Sequence, residues 1–136
     1  MAEMVMQELV RQAGREAEFE IASAAVSTEE ISNDIYPPAQ RTLAAHGIPY
    51  SRRNARQVTR ADFDYYDHIV CADRSNIRLL NYYLGISADT QTRARLSLLM
   101  QWAGEDRDVS DPWYTRDFEQ AYRDILTACH AMLAKI

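Results

Sequence analysis

The chain has 136 residues, 47% of them hydrophobic, and a formal net charge of −5. That length and apolar content suit one domain with its own core, residues 1–136, while the acidic balance argues against a nucleic acid or a membrane surface as a partner recruited by charge. MAEMVMQELVRQ has neither a basic start nor an apolar stretch, and no window approaches the roughly 18 apolar residues of a membrane span. The expectation is a soluble, cytoplasmic protein.

Ala2, Val5, Met6, Leu9, Val10 and Ala13 recur at helical spacing up to Gly14, so an amphipathic helix opens the chain. Phe19, Ile21 and Ala22 predict a short strand, followed by the polar loop VSTEEISND. Pro37 and Pro38 then open a second helix that Gly47 closes. Thr59 has the position of an N-cap for a short helix, and DHIVCAD reads as a buried strand over Ile69 to Cys71. Asp73 or Ser75 caps the next helix, with Ile77, Leu80 and Tyr83 or Leu84 on one face before Gly85. A further strand is expected near Leu98 to Met100. Phe118, Ala121, Tyr122, Ile125, Cys129, Met132 and Leu133 form the apolar stripe of a long final helix. Strands alternating with helices imply an α/β fold: a parallel sheet covered on both faces, with any site at the carboxyl ends of its strands.

Cys71 and Cys129 stand far apart without metal-ligand spacing, so two reduced thiols in apolar settings are expected, with no metal and no cofactor. VCADRSNIR nevertheless puts a cysteine where a strand leaves for a helix, a place that favours an anion. A phosphatase nucleophile loop needs an arginine six residues after its cysteine. Here that position is Ile77, Arg74 and Arg78 fall out of phase, and the loop has no glycine. His46 precedes Gly47 at a helix end, where its charge suits the dipole, and Ser23 follows the first strand pattern. Neither has a local partner that completes a triad. Asp111-Pro112-Trp113-Tyr114 places one carboxylic acid ahead of a proline and two aromatics, an arrangement that presents a proton beside a substrate ring. Asp-Pro also begins ordinary turns, and the motif alone decides nothing.

Order and spacing along the chain decide more. MAEMVMQEL, IASAAVSTEEISN, AAHGIPYSRRNARQVT, DYYDHIVCADRSNIRLL and VSDPWY, in this order, resemble successive segments of the low-molecular-weight protein tyrosine phosphatases, over essentially all 136 residues. The resemblance implies a three-layer α/β fold, a parallel sheet flanked by helices, and hydrolysis of phosphotyrosine monoesters through a cysteinyl-phosphate. It implies Asp111 as the acid that protonates the leaving tyrosyl oxygen and then activates water. It implies Trp113 and Tyr114 as the aromatic wall around the ring, Ser23 and His46 as supports of the phosphate loop, and Asp73, Ser75 and Asn76 as a structural loop nearby. Glu29 stands where family members often carry a further pocket aromatic, and Ser32 where they carry glycine. The implied substrates are a phosphotyrosine protein or a small aryl phosphate.

One departure is large. The family places a hydrophobic strand and the cysteine-to-arginine phosphate loop directly before its first helix, and this chain begins at that helix. With the first strand missing, the expectation is a sheet rearranged or completed by another chain through strand swapping or self-association, and little or no activity. Two alternatives accompany it: a non-catalytic scaffold binding a phosphate or a partner, and a truncated, self-associating chain.

Overall fold

Val5, Leu9 and their neighbours fold as helix α1, Ala2–Gln12, whose buried face carries Met4, Val5, Met6, Glu8, Leu9 and Val10. This comes from a computed structural model that describes residues 1–26, 36–51, 56–85 and 94–136, and only the backbone of Trp113 and Tyr114. A 3-10 turn, Glu16–Glu18, follows α1. Pro37 opens α2, Pro37–Ala45, where a missing N–H costs nothing at the first turn. Then come α3, Arg60–Tyr65; β1, Ile69–Cys71; α4, Arg74–Leu84; and β2, Leu96–Leu98. A second 3-10 segment, Leu99–Ala103, leads to the short α5, Pro112–Thr115, and the long α6, Phe118–Lys135.

β1 and β2 pair in parallel, with Ile69 opposite Leu96, Val70 opposite Ser97 and Cys71 opposite Leu98. Successive side chains point to opposite faces, and the two faces meet different cores. Cys71 and Leu98 join Phe63 and Leu80 in one cluster, against which Ile69, Ile77, Leu84 and Leu96 also pack. Val70 turns the other way, toward the larger cluster built by α1, α2, the Leu99–Ala103 segment and α6, in which Val5, Leu43 and Met100 are wholly buried. The sheet is therefore covered on both sides by helices, as the alternation of elements implied.

Two expectations are corrected. Phe19 has extended backbone, but Phe19 to Ala22 forms no strand, because a strand needs a ladder partner. Among the described residues the neighbouring bridge lies beyond this segment, an isolated parallel one from Ala25 to Gln57, and the Ile21 carbonyl accepts from the Gln7 side-chain amide at 3.2 Å. Phe19 and Ile21 still pack against the main core. The strand expected at Leu98 to Met100 lies two residues earlier. After Leu98 the chain winds into a 3-10 turn, where the Gln101 side chain accepts from the Leu98 amide at 3.2 Å. On α4, Leu84 rather than Tyr83 completes the inward face, for Tyr83 is 49% exposed.

Candidate active site

The carboxyl end of β1 is where the sequence brings charge and backbone donors together. Past Cys71 the chain turns at Ala72 and enters α4 through a capping box. The Asp73 carboxylate accepts from the Asn76 amide at 2.8 Å and from the Ser75 hydroxyl at 2.6 Å. In return, the Asn76 side-chain oxygen accepts from the Asp73 amide at 3.2 Å. Asp73, Ser75 and Asn76 thus satisfy one another at the start of the helix. At the other end, Gly85 takes the left-handed conformation at φ +62° and donates to the Asn81 carbonyl at 2.9 Å.

Against this helix start lies the segment that ends in Asp111. The Arg74 amide donates to the Asp108 carboxylate at 3.0 Å, and the Arg74 guanidinium pairs with Asp106. The Val109 amide donates to the Ala72 carbonyl at 2.9 Å, directly beyond β1. On the other side, α6 supplies Asp124, 4% exposed. Its two oxygens receive Arg107 at 3.0 and 2.9 Å, the Ser110 amide at 2.9 Å and the Gln120 side-chain amide at 3.1 Å. Arg107, joined by Ser110 and Gln120, holds the Asp124 carboxyl below the usual carboxylate range against the opposing effect of burial. Asp111 itself is half-buried, and its carbonyl accepts from the Thr115 amide at 3.1 Å and hydroxyl at 3.2 Å, closing the turn of α5.

The other residues expected at the site are distributed unevenly. Trp113 and Tyr114 lie on α5 directly after Asp111. His46, just past the end of α2, is drawn to α6: its Nε2 is 2.7 Å from the Glu119 carboxylate, and its ring stacks on Tyr122. Ser23 is exposed, and its hydroxyl makes no hydrogen bond to another described residue. Glu29 and Ser32 lie outside the described residues. Cys71, 5% exposed, has its thiol pushed up to about 12 by burial and by the Asp73 carboxylate, so it offers no thiolate near neutral pH. Among the described residues no group of three His, Cys, Asp or Glu could hold a metal ion, and no helix is long and apolar enough to cross a membrane.

Sequence reasoning missed Arg107 and Asp124, which organise this segment. A signal existed. Asp124 falls three residues after Ala121 and one before Ile125, inside the apolar stripe of the last helix, where an acid requires a buried partner.

Comparison with known proteins agrees with this architecture. The family model described as low molecular weight phosphotyrosine protein phosphatase matches residues 1–136. A protein of that description from Pongo abelii is 36% identical over 139 residues, covering 99% of this chain and 85% of the relative. The Bacillus subtilis low molecular weight protein-tyrosine-phosphatase YfkJ is 31% identical over 136 residues, covering 100% of this chain and 86% of the relative. The crystal structure of YfkJ superimposes with a TM-score of 0.88 over 99% of this chain and 84% of that one, at 31% identity. A phosphatase of the same class from Streptococcus pyogenes gives 0.83 at 29% identity, over 99% of this chain and 82% of its own. With the anchored Asp111 segment at the carboxyl end of a parallel sheet, and with sequence and fold matched along its whole length, the chain belongs to the low molecular weight phosphotyrosine protein phosphatase family.

Proposed function

We propose that these 136 residues carry the general-acid half of a phosphotyrosine hydrolase and turn over little substrate by themselves. The observation that carries this reading is the anchoring of the Asp111 segment against the end of β1, through Val109 to Ala72 at 2.9 Å. In this reading Asp111 donates a proton to the tyrosyl oxygen as its bond to phosphorus breaks, and afterwards takes a proton from the water that releases phosphate. The reading assigns Trp113, Tyr114 and Glu29 to the substrate, and Ser23 and His46 to the support of a phosphate loop that is not among these residues.

Hydrolysis by this route also needs a thiolate to attack phosphorus and a guanidinium to hold the equatorial oxygens. Cys71 and Cys129 are followed six residues later by Ile77 and Lys135, so the 136 residues contain no cysteine-to-arginine phosphate loop. A general acid does not replace it. Aryl phosphate hydrolysis by the purified chain is expected at background level. Ordinary turnover abolished by Asp111→Ala would overturn the reading.

A second reading has its own observation: Phe19 and Ile21 pack on the core in a segment that has no ladder partner among the described residues, and beyond it only Ala25 bridges, to Gln57. Self-association through that segment would supply a ladder. Light scattering at micromolar concentration is the test, and a strictly monomeric mass sinks it.

A further inference from the structure

Four consecutive residues before Asp111 are each tied down, and they are tied to two different elements. Arg107 reaches Asp124 on α6 through both terminal nitrogens, at 3.0 and 2.9 Å. Asp108 accepts from the Arg74 amide at 3.0 Å, and Val109 donates to Ala72 at 2.9 Å, both at the junction of β1 and α4. Ser110 returns to Asp124 at 2.9 Å. One buried carboxylate therefore grips the segment at both ends of this run, and its four acceptor directions are filled by Arg107 twice, Ser110 and Gln120.

We propose that Asp124 is the positioning residue of the general-acid segment, fixing through Arg107 and Ser110 where the Asp111 carboxyl sits relative to the end of β1. The inference rests on the reading of Asp111 as proton donor, and it concerns how that donor is held. The bond geometry makes Asp124 hard to replace. An asparagine there would turn an NH2 group toward donors on one side, leaving either Arg107 and Gln120 or Arg107 and Ser110 facing another donor. Arg107 is also held from outside by Glu105 at 3.1 Å, so the guanidinium is fixed between two carboxylates. The anchor joins the acid segment to the same helix that receives His46 at Glu119 and Tyr122.

The test reads order in the segment and needs no turnover. In Asp124→Asn, hydrogen exchange at the Ser110 amide should rise on the order of tenfold beyond any rise at the Cys129 amide, which reports the stability of α6 itself. Backbone order parameters for Asp108 to Asp111 should fall from the rigid value of about 0.85 toward about 0.6. Arg107→Lys, which keeps the charge and loses the two-pronged contact, should fall between the variant and the parent. It also serves as the measurement should Asp124→Asn fail to fold. Equal changes at Ser110 and Cys129, with unchanged order at residues 108–111, would show Asp124 to be only a stabiliser of α6 and overturn the proposal. If the segment loosens in Asp124→Asn while the parent chain shows ordinary turnover that Asp111→Ala abolishes, the anchor stands and the reading of the chain as turning over little substrate falls.

Discussion

His46 lies nearly flat on Tyr122, with ring centroids 3.9 Å apart and planes inclined by 13°, while its Nε2 meets Glu119 at 2.7 Å. The contact joins the end of α2 to the first two turns of α6, two elements 73 residues apart across the His46 to Glu119 bond. Stacked rings contribute about 0.5–1.5 kcal/mol, and the exposed contact to Glu119 adds little. His46→Ala is expected to lower unfolding stability by about 1–2 kcal/mol in urea denaturation, with His46→Phe recovering most of it. Equal losses in the alanine and phenylalanine variants would show that the stack is not what matters.

What the sequence disclosed and what it concealed divide by range. The cap of α4 was legible to within two residues, Asp73 or Ser75, because the partners of Asp73 lie within three residues of it. The boundaries at Pro37 and Gly85 were legible for the same reason: proline and glycine act on their own backbone. Phe19 to Ala22 reads as a strand from its side chains, yet pairing depends on what lies beside it, which no local pattern contains. Arg107 and Asp124, separated by 17 residues, were concealed until the fold brought them within 2.9 Å. Asp111 stood between these cases, its motif visible and its anchors not.

The capping box at α4 should be measurable as stability. Removing the Asp73 carboxylate leaves the Asn76 amide and the Ser75 hydroxyl without their acceptor. Asp73→Ala is expected to cost about 0.5–2 kcal/mol, and Asp73→Ser considerably less, since serine also caps. A chemical denaturation series gives the comparison. No difference between alanine and serine would mean the carboxylate acts on something other than the helix start.

Cys71 and Cys129 are both buried, at 5% and 2% exposure, and burial pushes each thiol up to about 12. A disulfide-exchange reagent at pH 8 should titrate neither in the native protein and both after denaturation. The same shift sets a pH dependence. An unfolded thiol releases its proton near pH 8.5, while the folded one holds it to about 12. The folded state then binds more protons across that window, so this contribution is complete below about pH 8.5 and declines as pH rises toward 12. Cys71→Ala with Cys129→Ala should flatten the alkaline limb of stability. An unchanged slope would assign that limb to other groups.

At the acid end the slope reverses, and α1 supplies the clearest case. The Arg11 guanidinium, assisted by the Gln12 amide at 3.1 Å, holds the Glu8 carboxyl down to about 2 from an ordinary 4.5. In the unfolded chain Glu8 takes up a proton near pH 4.5, whereas in the folded chain it stays ionised to about pH 2. Across that window the unfolded state binds more protons, so acid favours unfolding: the contribution is complete above about pH 4.5 and disappears as pH falls to 2. Asp62 beside Arg56 and Asp124 beside Arg107 are lowered in the same direction and add to the limb. Glu8→Gln keeps a side-chain oxygen toward Gln12 and removes the titrating group. Its stability measured at pH 7 and pH 3 should therefore differ by less than the parent's does. If parent and variant lose the same stability between those two values, Glu8 does not carry the acid sensitivity, and the Arg11 contact does not persist in solution.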